Sequence, residues 1–229
     1  MKDLFGSAIL DYQNGLNTED LITATSISEE DILPISYLFR SYDEMPILEQ
    51  KALDLCTGKV LDVGCGAGSH SLYLKQKGFT VKSIDISPKA IEVCKRRGLT
   101  NVACLDMINE EEKFDTIILL MNGSGVFRSL SQTPYFLNHL KNLLTTFGQI
   151  LIDSSDISYM YEDHVNVNEL SHYYGELDYY ITYKGASEVF PWMYLDYDNL
   201  NAIAKEVGLK CELVLQGEHY DFLAKLTVA

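Results

Sequence analysis

Glycines and aspartates in one short stretch have the types and spacing needed to bind a charged small molecule. The sequence Asp62-Val63-Gly64-Cys65-Gly66-Ala67-Gly68 ends an apolar run and precedes residues 69–76, which have a helical pattern. Alternate glycines let a ligand approach the backbone without meeting a Cβ atom, and the first N–H groups of a helix point towards it. The stretch predicts a strand, a turn and a helix N-terminus, with four ligand-binding positions in the turn: Gly64, Cys65, Gly66 and Gly68.

Two further acids follow the turn at the ends of later predicted strands. Asp85 comes 21 residues after the first glycine, where a carboxylate in a doubly wound sheet can accept hydrogen bonds from a ribose diol. We include the adjacent Ile86 in the predicted site. Asp106 ends the next strand and is placed to accept from an adenine amino group, with Met107 beside the ring.

The glycine spacing differs from that of two common nucleotide-binding motifs. A dinucleotide fingerprint needs its third glycine at position 69, which is Ser69, and no P-loop sequence is present. This argues against an NAD-dependent oxidoreductase. The carboxylate of Asp62, just before the turn, is unfavourable for a pyrophosphate and favourable for a ligand with an ammonium group.

The elements that must position these residues alternate between strand and helix. This order predicts a parallel sheet with helices on both faces. Strands are expected at 60–63, 80–85, 101–104, 114–121 and 149–153, and helices at 47–56, 69–76, 88–97 and 134–144. Helix 88–97 has a good N-cap in Ser87 and a proline just inside.

The two flanks of this alternating region have a different character. Residues 3–13 have helical spacing, and 16–33 are acidic and irregular. Residues 155–193 are rich in tyrosine, and strands 173–183 and 187–195 are expected to form an inserted hairpin. A helix at 198–207 and strands at 211–216 and 220–228 follow. We predict one domain over 1–229, with 1–44 as a variable N-terminal cap and 155–193 as an insertion.

The motif at 60–68 resembles the first motif of class I S-adenosylmethionine-dependent methyltransferases. Asp85 matches the ribose-binding acid of that family, and Asp106 matches its adenine-contacting acid. Residues 114–123 are similar to its fourth strand, whose end lies next to the methionine moiety, and 198–228 resemble the elements that complete its sheet. The resemblance implies an α/β, Rossmann-like, doubly wound seven-stranded sheet, mostly parallel with an antiparallel last strand, plus the Tyr-rich inserted hairpin. It also implies S-adenosyl-L-methionine as cofactor.

The resemblance implies methyl transfer, and we expect the acceptor to be a small molecule. The same fold also admits a non-catalytic module that binds S-adenosylmethionine or S-adenosylhomocysteine, or an aminopropyl-type transferase. No catalytic base is assigned, and the histidines outside the glycine motif give none: His139, expected to be structural, and His164, His172 and His219.

Further residues are candidates for the methionine and acceptor side of the site. Arg40 and Tyr42 are placed to meet the cofactor carboxylate, Asn122 ends the fourth strand, and Asp153 ends the fifth. The insertion also contains an aromatic cluster, which consists of Tyr179, Tyr183, Phe190, Trp192 and Tyr194. This cluster forms either the lid or wall of an apolar acceptor pocket, or a surface that is packed within the hairpin or against a second copy in a homodimer.

Composition restricts the partners. Eighteen basic residues against 33 acidic ones give a net charge of −15, with no basic face for nucleic acid. No apolar run approaches the ~20 residues of a membrane span. The five cysteines are single and scattered, which favours a reduced cytoplasmic compartment and predicts no metal site.

Overall fold

The computed structural model describes residues 2–16, 19–161, 167 and 170–229. The helices in chain order are α1 Leu4–Gln13, α2 Ile47–Asp54, α3 Ser69–Gln76, α4 Pro88–Arg96, α5 Thr133–Asn142 and α6 Tyr197–Glu206. The strands are β1 Leu21–Thr25, β2 Asp31–Leu33, β3 Lys59–Val63, β4 Thr80–Asp85, β5 Val102–Cys104, β6 Phe114–Leu119, β7 Leu144–Ser155, β8 Glu176–Tyr183, β9 Ala186–Met193, β10 Leu209–Gln216 and β11 Asp221–Val228.

Seven strands form the main sheet, in the order β10-β11-β7-β6-β3-β4-β5. The five from β7 to β5 are parallel, and β11 runs antiparallel to both of its neighbours. The predicted fold class is confirmed, including the antiparallel last strand. The carboxyl ends of the parallel strands meet at one edge of the sheet, which brings the loops after β3, β4, β5, β6 and β7 together there.

Local sequence signals explain where the helices beside this edge begin. α4 starts after Ser87, whose hydroxyl accepts a hydrogen bond from the backbone N–H of Ala90 at 3.0 Å, with Pro88 in the first turn. α3 starts after Gly68, which has a left-handed conformation. Among the described residues the longest helices have ten residues, about half of what a membrane span needs, and none qualifies as a membrane span.

A second sheet of four antiparallel strands, in the order β2-β1-β8-β9, covers part of this edge. The predicted hairpin of β8 and β9 is present, with its turn at Lys184 and Gly185. The expectation that 16–33 is irregular was wrong, because β1 and β2 lie within it. β1 pairs with β8, Ile22 opposite Thr182, so the N-terminal segment and the insertion form one layer.

Candidate functional site

The glycine turn after β3 has one side open and one side packed. The N–H groups of Gly64 and Cys65 both donate to the carbonyl of Ile84 on β4, at 2.9 and 3.0 Å. All three glycines have positive φ, at 70°, 51° and 81°. A Cβ atom on Gly64 would meet nothing within 4 Å, whereas one on Gly68 would lie 2.7 Å from the Leu99 side chain. Gly64 therefore faces open space for a ligand, and Gly68 allows close packing beneath the turn.

Cys65 offers the ligand only its backbone. Its side chain is buried, and its Sγ lies 3.7 Å from the Sγ of Cys94 on α4. Hydrogen bonding to Cys94 and burial raise the pKa of the Cys65 thiol well above its ordinary value. The neutral thiol is a packing group and not a nucleophile.

Asp85 is joined directly to the glycine turn. Its Oδ2 accepts from the N–H of Gly66 at 2.9 Å, and its Oδ1 accepts from the N–H of Ser87 at 2.8 Å. Burial raises the pKa of Asp85, and the charges of Asp3 and Asp62 raise it further. The adjacent Ile86 is half exposed, at 50%. The structure thus joins Asp85 to the turn, and the binding of the cofactor by Asp85 and Ile86 stays a prediction.

Asp62 lies buried under the turn, at the end of β3. Its carboxylate accepts from the hydroxyl of Ser71 at 2.6 Å, and that hydroxyl lies 2.6 Å from the hydroxyl of Ser83. Burial raises the pKa of Asp62. A cationic ligand group beside it would offset the cost of keeping this carboxylate charged.

Arg40 belongs to a buried ion cluster that sequence reasoning did not find. Its guanidinium donates to both carboxylate oxygens of Glu49, at 2.5 Å each, and to the carbonyl of Tyr37 at 2.6 Å. Glu49 also lies 2.6 Å from Nε2 of His70, on α3. Burial opposes ionisation of Glu49, but His70 and Arg40 hold its pKa below the ordinary value. The buried Nε of Arg40 has no hydrogen-bond partner among the described residues.

Tyr42 is not brought to the glycine turn. Its hydroxyl donates to Asp54 at the end of α2, at 2.9 Å, and its ring stacks on Tyr73 at 4.1 Å. These contacts occupy the side chain on the outer side of α2 and α3. They give no support to the prediction that Tyr42 meets the cofactor.

The loop after β5 places its two predicted residues differently. Asp106 is partly exposed, caps the N–H of Ile108 at 3.2 Å and lies 3.6 Å from Arg128. The Met107 side chain is buried in the main core, which gives no support to the prediction that it lies beside the adenine ring. His139 bonds to the carbonyl of Met107 at 2.9 Å, which is a structural contact. Of the other histidines, His172 and His219 are exposed and His164 lies outside the described residues.

Asp153 and Asn122 organise the loop after β6. Asp153 accepts from the N–H groups of Gly123, at 2.8 Å, and Met121, at 3.0 Å. These bonds hold Met121 and Asn122 in successive left-handed conformations. The amide of Asn122 donates to the carbonyl of Met193 on β9 at 3.1 Å. The Asn122 side chain therefore joins the second sheet to the loop after β6, and a contact of Asn122 with the cofactor stays a prediction.

Burial raises the pKa of Asp153 from 3.8 to about 6. Because the native state holds this proton more tightly than the unfolded chain, the group's contribution to stability falls as the pH rises from 4 to 6. Lowering the pH from 7 to 5 should therefore increase the free energy of unfolding by about 1 kcal/mol more in the wild type than in Asp153→Asn. Urea unfolding of both proteins at the two pH values measures the difference. Equal pH dependence would contradict the assignment.

The charges around the turn fit a cation that also carries a carboxylate. Burial raises the pKa of three carboxyl groups, those of Asp62, Asp85 and Asp153. A positively charged ligand group beside them would favour their ionised forms. The unpartnered Nε of Arg40 is a donor suited to a carboxylate. An S-adenosylmethionine molecule has a sulfonium, an ammonium, a carboxylate and a ribose diol, so its groups match these residues.

A doubly wound sheet with a glycine turn after its first parallel strand and an acid after the second defines a nucleotide-cofactor-binding protein. The methyltransferase domain family matches residues 57–208. This is more than half of the chain, and the chain therefore belongs to that family. The predicted family of class I S-adenosylmethionine-dependent methyltransferases is confirmed, together with the enzyme class and the family's cofactor.

Comparison with individual proteins supports the same assignment. A methyltransferase of Bacteroides fragilis, crystallised with S-adenosyl-L-homocysteine, is 42% identical over 100% of this chain and 95% of its own, with a TM-score of 0.92. The 2-heptyl-1-hydroxyquinolin-4(1H)-one methyltransferase of Mycobacteroides abscessus is 47% identical over 32% of this chain and 34% of its own. A 23S rRNA (uracil(747)-C(5))-methyltransferase of Pyrococcus horikoshii is 29% identical over 43% of this chain and 27% of its own. The chain thus spans about a third or less of these two curated relatives.

Proposed function

We propose that this chain transfers a methyl group from S-adenosylmethionine to a small-molecule acceptor. The observation that carries the proposal is the apolar inner face of the second sheet. Tyr179, Phe190 and Trp192 lie together on this face, with ring centroids 5.6 to 6.0 Å apart. The first two pack in the same cluster as Ala67 of the glycine turn and Met121 of the β6 loop.

The second sheet also restricts the size of the acceptor. The Trp192 ring lies against Gly125, where a Cβ atom would come within 2.0 Å of it. Close contact at this point joins β9 to the loop after β6, so the aromatic face lies over the carboxyl ends of the parallel strands. A space bounded in this way favours a compact, apolar or aromatic acceptor.

The chain's own residues have distinct parts in this reaction. S-adenosylmethionine, when bound, supplies a methyl group on a cationic sulfur. Asp62 is suited to bind the ammonium, Arg40 the carboxylate and Asp85 the ribose. Fixing these groups orients the methyl group in line with an acceptor that the aromatic face holds and shields from water. With the cofactor bound, the acceptor's lone pair would form the new bond to the methyl carbon as the carbon–sulfur bond breaks, and S-adenosylhomocysteine would leave. Any proton displaced from the acceptor would pass to water when the product is released.

An RNA acceptor, as in the archaeal relative, is disfavoured by electrostatics. The chain has 33 acidic residues against 18 basic ones, and binding to RNA phosphates requires clustered cations. Two cations near the site have partners within the protein: Arg40 pairs with Glu49, and Arg97 donates to the carbonyl of Ala67 at 2.7 Å.

We expect the protein to methylate a small molecule of a cell extract and not its RNA. Radiolabelled S-adenosylmethionine is incubated with the protein and either a protein-free metabolite extract or total RNA, with Asp85→Ala as the inactive control. We expect label in a small molecule and none above the control in RNA. Label in RNA alone, or no transfer by a protein that binds S-adenosylhomocysteine, would overturn the proposal.

A further inference from the structure

The residue before α1 is held in the left-handed conformation, which is uncommon for residues other than glycine. Asp3 has a φ of 56°, and its Oδ1 caps the helix by accepting from the N–H of Gly6 at 3.1 Å. The N–H groups on either side of it, those of Lys2 and Leu4, donate to the two carboxylate oxygens of Glu188 on β9, at 2.7 and 3.3 Å. Backbone strain that the surroundings enforce in this way is typical of functional positions.

The packing of α1 brings Asp3 to the ribose end of the predicted site. α1 runs parallel to α4, because Ser7 contacts Lys89 at 2.6 Å near their N-termini and Asn14 contacts Arg96 near their C-termini. The N-termini of both helices therefore lie at the edge of the sheet where the glycine turn is.

Asp3 and Asp85 are close neighbours at this edge. A Cβ atom on Gly6 would lie 2.3 Å from Oδ1 of Asp3 and 2.2 Å from the hydroxyl of Ser87, so these two oxygens are near each other. The N–H of Ser87 donates to Asp85 at 2.8 Å, and the negative charge of Asp3 raises the pKa of Asp85. The position above Gly66 faces the ring of Phe5, at 4.0 Å, so α1 also covers the turn.

One carboxylate oxygen of Asp3 has no hydrogen-bond donor among the described residues. Oδ2 of Asp3 is buried and has no hydrogen-bond partner among the described residues, which is costly for a carboxylate oxygen. Asp85 uses one lone pair of each oxygen on backbone N–H groups and keeps the others. Two adjacent hydroxyl groups can donate one hydrogen bond to Oδ2 of Asp3 and another to Asp85.

We infer that Asp3 is a second ribose-binding residue, whose Oδ2 accepts a hydrogen bond from one ribose hydroxyl of the cofactor while Asp85 accepts from the other. The inference rests on the proposed function, because it requires the cofactor in this site. It also assigns a role to α1, which carries both a ribose ligand and the Phe5 ring to the glycine turn.

The variant Asp3→Asn separates this role from helix capping. Asparagine keeps the Oδ1 that accepts from Gly6 and tolerates positive φ, but it replaces Oδ2 by an NH₂ group that cannot accept. Asp11→Asn is the matched control, because Asp11 lies on the same helix and binds Tyr183 and Lys184 away from the turn. Thermal unfolding of both variants verifies that α1 remains docked.

Calorimetry with S-adenosylhomocysteine and its 2′-deoxy and 3′-deoxy analogues tests the inference. We expect Asp3→Asn to lose about tenfold or more in affinity for S-adenosylhomocysteine, and to lose nothing further for the analogue that lacks the hydroxyl bound by Asp3. Asp11→Asn should bind like the wild type. An Asp3→Asn protein with wild-type affinity, or one that loses the same factor for all three ligands, overturns the inference alone. A wild type that binds none of them overturns the proposed function itself.

Discussion

Replacing Asp85 by alanine should weaken binding of S-adenosylhomocysteine at least a hundredfold. A hydrogen bond to a charged group contributes about 1.5–3 kcal/mol, and Asp85 is placed to accept from the ribose. It also holds the N–H of Gly66, at 2.9 Å, so its loss loosens the turn that the cofactor contacts. Two effects of about 1.5 kcal/mol each already reach a hundredfold in the dissociation constant. Isothermal titration calorimetry measures the change.

Asp115→Ala provides the matched control for Asp85→Ala. Asp115 also accepts a backbone N–H and a second donor, from Lys59 at 2.8 Å and the Thr145 hydroxyl at 2.7 Å, but it lies at the opposite edge of the sheet. Both variants should lose some thermal stability, and only Asp85→Ala should lose affinity. If Asp85→Ala binds within threefold of the wild type, or if both variants weaken binding equally, Asp85 is not the ribose ligand.

The main sheet could be predicted because its signals are local. Ser87 followed by Pro88 marks the start of α4, and the mainly apolar stretch 114–121 marks a strand that is buried on both faces. The glycines and Asp85 belong to the same local signal, because each is fixed by the element that it ends. A reader of the sequence alone therefore obtains the turn and the acid beside it.

The second sheet could not be predicted because its pairing is not local. β1 has only five residues, and its partner β8 begins at Glu176. Short strands of this kind gain their stability from a neighbour that the sequence pattern does not identify. The hydrogen bonds from the N–H groups of Lys2 and Leu4 to Glu188 depend on this pairing. The sequence alone therefore does not distinguish Asp3 from an ordinary helix cap.

The ion cluster at Arg40 was missed for a similar reason. Arg40 was predicted to meet the cofactor, but its partner Glu49 lies on α2, and Glu49 in turn contacts His70 on α3. Glu49 in the first turn of α2 has the pattern of a solvent-facing residue. Only the structure shows that it is buried, at 4% exposure, where it contacts His70 on α3. Met107 likewise faces the core because the short helix after Asp106 turns its side chain inwards.

Gly64→Ala should abolish detectable binding of S-adenosylhomocysteine while leaving the protein folded. Gly64 has a φ of 70° and no atom within 4 Å of its Cβ position, so a methyl group clashes with nothing in the protein. The cost to folding is then only the left-handed conformation, about 1–2 kcal/mol for a residue with a Cβ atom. The methyl group would stand in the open space that we assign to the cofactor, where the backbone must be approached closely.

Gly78→Ala separates the effect of backbone strain from that of a methyl group in the cofactor's space. Gly78 has a φ of 91° and also has nothing within 4 Å of its Cβ position, but it follows the C-terminus of α3, away from the turn. The two variants should therefore unfold at similar temperatures, both a few degrees below the wild type, and only Gly64→Ala should lose the ligand. Wild-type affinity in Gly64→Ala would show that the space above Gly64 is not the cofactor's. Loss of binding in both would show that the strained left-handed backbone, and not the methyl group in the cofactor's space, is responsible.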